Sequence, residues 1–182
     1  MSKSGKTVWS VRTMVLMGML IAMEIVMERW IAIPISDTNR VSFGKCVVIL
    51  SGLWLGPVGG AIVGMISDII GALISGFAIA PLITVSSMMW GIIPALTKPL
   101  IRKKGKNMKC VILCVAIVIN SVVSTLILTT LGLVTYYGYD FYAILPNRLI
   151  QFAVLTPAYC IVVCLLYLTP LTKMAADITE SK

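Results

Sequence analysis

Residues 41–75 read VSFGKCVVILSGLWLGPVGGAIVGMISDIIGALIS, and their pattern decides the fold. Two apolar runs, 41–55 and 58–75, are separated by Gly56-Pro57, a breaker too tight to form a loop domain of its own. The two runs are therefore expected to form a helical hairpin. Lys45 and Asp68 are the charged residues of the whole stretch. Working outward, further apolar runs fall at about 8–33, 79–101, 110–134 and 143–168. A membrane crossing needs about 20 residues of helix. The expectation is an all-α integral membrane protein: six transmembrane helices in one bundle, forming one domain over residues 1–182. Composition agrees, with 59% apolar residues, 12% charged and a mean hydropathy of +1.00. Soluble domains carry about a quarter charged residues. A soluble enzyme and a disordered chain are excluded. The first run is expected to stay as a helix rather than be cleaved as a signal peptide, because Glu24, Glu28 and Arg29 stand where a small-residue cleavage site would be.

The net charge of +8 does not indicate nucleic-acid binding, because the basic residues cluster in short stretches between apolar runs. Lys3, Lys6 and Arg12, the group Lys98, Arg102, Lys103, Lys104, Lys106 and Lys109, and the terminal Lys173 and Lys182 mark the cytoplasmic side. Both termini are then cytoplasmic. Arg29, Arg40, Lys45 and Arg148 remain near the opposite face. Each alone reads equally well as a side chain reaching the headgroups; four at one end point to an anionic ligand.

The chain contains no histidine, GxSxG, HExxH or P-loop, so hydrolytic catalysis lacks its parts and ATP hydrolysis must belong to a partner. No enzyme activity, cofactor or metal site is expected. Cys46, Cys110, Cys114, Cys160 and Cys164 form no CxxC and read as packing residues. Intramembrane polar residues are functional candidates. Glu24 and Glu28 lie one turn apart near the outer end of the first helix. Glu24 fits a ligand's paired N–H donors or a proton relay on one reading, and pairing with Arg29, Arg148 or a backbone group on the other; Asp68 likewise reads as functional or as a buried structural carboxylate at a close helix crossing. Arg148 and Gln151 share one helix face with Leu155 and Tyr159, and the Arg148 fork suits a carboxylate. The loop 136–142, with Tyr139 at its centre, is an interfacial aromatic belt or a lid over a planar ligand that Trp90 and Phe43 would stack against. Gly18 and Ala22 form a small-xxx-small pair that admits a neighbouring helix, inside the bundle or from a partner.

This layout resembles the substrate-binding S components of energy-coupling factor (ECF) vitamin transporters, and among them the folate type. The resemblance runs along the chain through Val41-Ser42-Phe43-Gly44, residues 51–64, Ser67-Asp68-Ile69-Ile70-Gly71-Ala72-Leu73, Thr129-Thr130-Leu131-Gly132-Leu133, Tyr137-Gly138 and Leu145-Pro146-Asn147-Arg148. It departs from the folate pattern at Ala80-Pro81-Leu82-Ile83-Thr84 and at Gly132. The resemblance implies a subunit of a bacterial cell membrane that captures a vitamin from outside. Its implied partners are a transmembrane coupling subunit and two ATP-binding-cassette ATPases, docked at Gly18 and Ala22. It also implies a pocket built from the outer ends of the fourth to sixth helices and the loops 29–40, 75–80 and 135–143. For folate, Arg40, Lys45 or Arg148 would hold the tail carboxylates, with Arg29 and Gln151 as further substrate-binding residues. Trp90, Phe43 or Tyr139 would stack on the pterin, and Glu24 or Asp68 would read its amino edge. Pantothenate or another carboxylated vitamin is the alternative ligand, and a carrier using Glu24 and Asp68 for ion coupling the alternative mechanism.

Overall fold

The computed structural model describes residues 10–36, 39–101, 105–169 and 172. Helix α1 (Val11–Arg29) is followed by two short antiparallel strands, β1 (Ile33–Ser36) and β2 (Asn39–Val41), with Ile33 opposite Val41 and Pro34 opposite Arg40. The segment read from sequence as a loop therefore contains a β-hairpin. Next come α2 (Gly44–Ile74), α3 (Pro81–Leu96) and the single turn α4 (Lys98–Ile101). Helix α5 (Lys106–Ser121) passes through a π-helical stretch (Val122–Thr129) into α6 (Thr130–Tyr137), and α7 (Phe141–Leu168) closes the bundle.

Although α2 is given one span, it is two helical arms joined at a kink. Gly56 has φ 87° and ψ 177°, a backbone that glycine adopts without a Cβ penalty, and Pro57 follows it. On a straight helix Val48 and Gly64 would be about 24 Å apart, at about 1.5 Å per residue. Instead, a Cβ built on Gly64 would lie 3.2 Å from Val48 Cγ1, and one on Gly60 would lie 2.6 Å from Gly52 Cα. The arms 44–55 and 57–74 are thus antiparallel and in contact, as Gly56-Pro57 leads one to expect.

Helix α3 lies across both arms at backbone distance. A Cβ on Gly52 would sit 2.1 Å from the Gly91 carbonyl oxygen, one on Gly91 would sit 2.4 Å from the Gly60 carbonyl carbon, and one on Gly64 would sit 2.3 Å from Ser87 O. Small residues at such crossings bring helices close enough for dispersion to hold them where lipid offers no hydrophobic driving force. Around this crossing Val48, Ile49, Leu53, Trp90, Ile117, Leu155, Tyr159 and Val163 join α2, α3, α5 and α7 in one buried cluster. Met17 and Leu20 attach α1 through Val47 and Val63.

The helices share two ends. The Gly56 bend meets α4 and the chain beyond α7 through Lys98 Nζ to Trp54 O (3.3 Å) and Trp54 Nε1 to Thr172 Oγ1 (3.4 Å). At the other end Tyr137 donates to Ala78 O (2.6 Å) and Tyr159 to Ser42 O (3.0 Å). Gly44–Ile74, Lys106–Tyr137 and Phe141–Tyr167 are long and apolar enough to cross a membrane. The outward faces of α1, α5 and α7 expose Val15, Met19, Val115, Ile161 and Leu165. That surface suits lipid and would be costly in water.

Gly91→Ala is expected to destabilise the bundle by about 1–3 kcal/mol, the range for forcing an extra carbon into a packed core. Reversible unfolding in mixed micelles measures it. Gly18→Ala, where an added Cβ meets nothing within 4 Å, should leave the unfolding midpoint unchanged.

Candidate functional site

At the end of the bundle that carries the β-hairpin, a cavity of about 250 Å³ opens between α1, α2, α3, the π-helical stretch and α7. Helix α7 supplies one wall. Asp140 caps its start by accepting the Tyr142 backbone N–H at 3.1 Å, and helical periodicity then turns Arg148, Gln151, Phe152, Leu155, Thr156 and Tyr159 to the cavity. Arg148 is only 5% exposed, and its Nη1 donates to Gln151 Oε1 at 2.8 Å. Trp90 of α3 meets Tyr159 edge-on, with ring centroids 5.4 Å apart and planes at 81°. Both rings are buried, Trp90 about two and a half turns into α3 and Tyr159 about five turns into α7 at about 3.6 residues per turn, so they form the inner part of the site. At the rim Phe77 and Tyr137 pack edge-on at 6.3 Å, with Tyr139 beside them after the left-handed Gly138.

The hairpin in α2 places its charges in the same cavity. Asp68, on the returning arm, accepts hydrogen bonds from Thr84 Oγ1 (2.8 Å) and Ser87 Oγ (3.2 Å) of α3. Lys45, on the outgoing arm, forms an ion pair with Glu24 of α1 at 3.2 Å, and Glu24 is 2% exposed. Ser42 donates a short hydrogen bond to Glu28. Arg29 covers Gly71, where a Cβ would lie 2.8 Å from its Nε. The walls therefore carry three cations, Arg29, Lys45 and Arg148, against the carboxylates Glu28 and Asp68. This mixture suits a ligand with both acidic groups and N–H donors, and the flat rings add a surface for a heterocycle.

Among the residues singled out from sequence, Arg29, Lys45, Asp68, Trp90, Tyr139, Arg148 and Gln151 all line the cavity. Glu24 is not in the wall; it stands behind Lys45 as its counter-ion. Phe43 is the residue before α2, is 40% exposed and is also absent from the wall. The side chain of Arg40 lies outside the described residues. Gly18 and Ala22 are exposed on α1, on the side away from the buried Met17, Leu20 and Glu24. Cys110 and Cys114 meet Cys160 and Cys164 along the α5–α7 seam, with Cys114 and Cys164 Sγ 3.8 Å apart.

Sequence reasoning missed the wall that the π-helical stretch provides. Ser121, Thr125 and Thr129 line the cavity, and Thr129 and Thr130 donate to the carbonyls of Ser124 (2.8 Å) and Thr125 (3.2 Å), five residues back. In an ordinary α-helix a hydroxyl bonds the carbonyl four residues back; the widened turn lengthens that reach by one residue. The run of hydroxyl residues was visible, but its register was not.

The substrate-specific component model of ECF transporters matches residues 12–167. The chain belongs to this family of ECF S components. It is a transport subunit of the membrane, not an enzyme. The S component is 30% identical over 154 residues to the folate transporter FolT of Clostridium novyi (strain NT), covering 84% of this chain and 86% of that protein. It is also similar to a crystal structure of FolT bound with folic acid, with a TM-score of 0.72 and 26% identity over 87% of this chain and 93% of that one.

The Glu24–Lys45 pair yields a prediction for this S component. Lys45→Met leaves the Glu24 carboxylate buried without its partner and should destabilise the protein by about 3–5 kcal/mol. Adding Glu24→Gln should restore most of the loss. Denaturation of the two variants in detergent provides the comparison.

Proposed function

We propose that this S component captures folate from outside a bacterial cell and delivers it through an ATPase module. The observation that carries the reading is the cavity itself. Buried aromatic rings, two hydrogen-bonding carboxylates and three cations share one space, in a chain similar to a folate transporter along most of its length. Folate carries the matching parts: a flat pterin with N–H donors and a glutamate tail with two carboxylates. In this reading the pterin lies against Trp90 and Tyr159, Asp68 or Glu28 accepts from its amino edge, and Arg148, held by Gln151, takes a tail carboxylate with Arg29 or Lys45. Asp68, held by two hydroxyls of α3, is already oriented as an acceptor.

With the two arms of α2 counted separately, the chain crosses the membrane six times as one domain. Arg12, Lys98, Lys106 and Lys109 lie at the end opposite the cavity, so the positive-inside rule puts that end and both termini in the cytoplasm. The cavity then faces outward. A transmembrane coupling subunit docks on the exposed Gly18–Ala22 face of α1, where its helix can approach the backbone closely, and two ATP-binding-cassette ATPases supply the energy. The ion-coupled alternative is weaker, because Glu24 is tied to Lys45 and Asp68 to Thr84 and Ser87.

Two substitutions separate capture from delivery. Arg148→Ala should weaken folate binding by about 2 kcal/mol or more, the loss expected when a desolvated charge pair loses one member. Calorimetric titration reads it, and an unchanged affinity removes Arg148 from the site. Gly18→Trp should leave folate binding intact and abolish ATP-dependent uptake of labelled folate into cells. Normal uptake by that variant would place docking elsewhere.

A further inference from the structure

Most hydroxyl groups around the cavity are committed to the protein. Ser42 donates to Glu28, Ser86 and Thr129 to the Ser124 carbonyl, Ser87 to Asp68, Tyr137 to Ala78 O and Tyr159 to Ser42 O. Ser121 differs. It lines the cavity, is 2% exposed, and its Oγ has no hydrogen-bond partner among the described residues. A helical serine ordinarily donates to the carbonyl one turn back, and Ser121 makes no such bond. A buried hydroxyl without a partner costs about 1–3 kcal/mol, and each such group in a folded protein calls for an explanation.

Its position supplies one. Ser121 ends α5 where the π-helical stretch begins, and local π-helical turns recur at functional sites. Asn120, fully buried one residue earlier, keeps its Oδ1 for Ser124 Oγ at 3.0 Å, while its Nδ2 also has no partner among the described residues. Two consecutive polar groups therefore remain unsatisfied at the junction, and the second of them belongs to a residue that lines the ligand space. The carboxylates Asp68 and Glu28 already provide acceptors for a ligand's N–H groups. The complementary need of a heteroaromatic ring is a donor to its ring nitrogens or carbonyl oxygen, and the free hydroxyl is a neutral group able to provide it.

We propose that Ser121 is a specificity-determining residue of the cavity, whose hydroxyl donates to an acceptor atom of the bound heteroaromatic ring. This deepens the folate reading and rests on it. A site that buries a hydroxyl for this purpose rejects ligands lacking the acceptor, because the group is then left unpaired in the complex as well.

The test compares full-length wild type with Ser121→Ala, titrated with folate and with the 5-deaza and 8-deaza analogues that each lack one ring nitrogen. Thermal unfolding of both ligand-free proteins is measured in parallel. The expected result is a folate Kd about tenfold weaker in Ser121→Ala, with the ligand-free midpoint unchanged or raised, since the variant removes an unsatisfied group. If the acceptor is N5 or N8, the matching analogue shows the same weakening on wild type and no further loss on Ser121→Ala. If it is N1 or the carbonyl oxygen, both analogues keep the full Ser121→Ala penalty. Equal folate affinities for wild type and variant would overturn the role of Ser121 and leave the folate reading standing. A clearly lower ligand-free midpoint would assign Ser121 to the fold, through a buried water, and overturn its role as a ligand contact. Failure of wild type to bind folate would overturn the folate reading itself, and this inference with it.

Discussion

Everything in this bundle depends on the reversal at Gly56-Pro57 being pressed against α3 at backbone distance. In lipid, apolar side chains gain nothing by leaving their surroundings, so helices associate through close packing and polar contacts. Gly52, Gly60, Gly64 and Gly91 remove the Cβ atoms that would hold the three segments apart. The reversal also places Lys45 and Asp68, at nearly equal distances along the chain from the bend, at the same end of the bundle. Were the two arms one straight helix, those charges would be more than 30 Å apart at about 1.5 Å per residue, and no common cavity would exist.

Closing the bundle around charged groups requires that each be compensated. Lys45 has Glu24, Glu28 has Ser42, Asp68 has two hydroxyls of α3, and Arg148 has Gln151. These contacts keep the polar groups oriented toward the cavity before a ligand arrives, which reduces the ordering that binding must pay for. The aromatic rim at Phe77, Tyr137 and Tyr139 stands at the opening of the cavity. The outer face of α1 has no such polar inventory. Its exposed Gly18 and Ala22 offer shape alone, which is what another helix needs.

Much of this was legible in the sequence because the signals were local and steep. Gly56-Pro57 between two apolar runs announced the reversal, and the spacing of Arg148, Gln151, Leu155 and Tyr159 announced one face of α7. Glu24 was legible as an intramembrane carboxylate, but its role was not. Whether it faces a ligand or a lysine depends on the register between α1 and α2, which no local pattern encodes. The β-hairpin was missed because Pro34 and the polar residues around it read as loop punctuation. The π-helical stretch was missed for a different reason. Its hydroxyls satisfy carbonyls five residues back instead of four, a one-residue shift that composition does not reveal. Phe43 was named for its ring, and the start of α2 leaves that ring partly outside.

The central claim is that this single chain, without ATPases, forms a folate site. Calorimetric titration of the purified S component in detergent with folate, and separately with pantothenate, tests it most directly. Saturable one-to-one binding of folate, with no heat from pantothenate, is the expected result. Saturable binding of pantothenate with none of folate would contradict the claim.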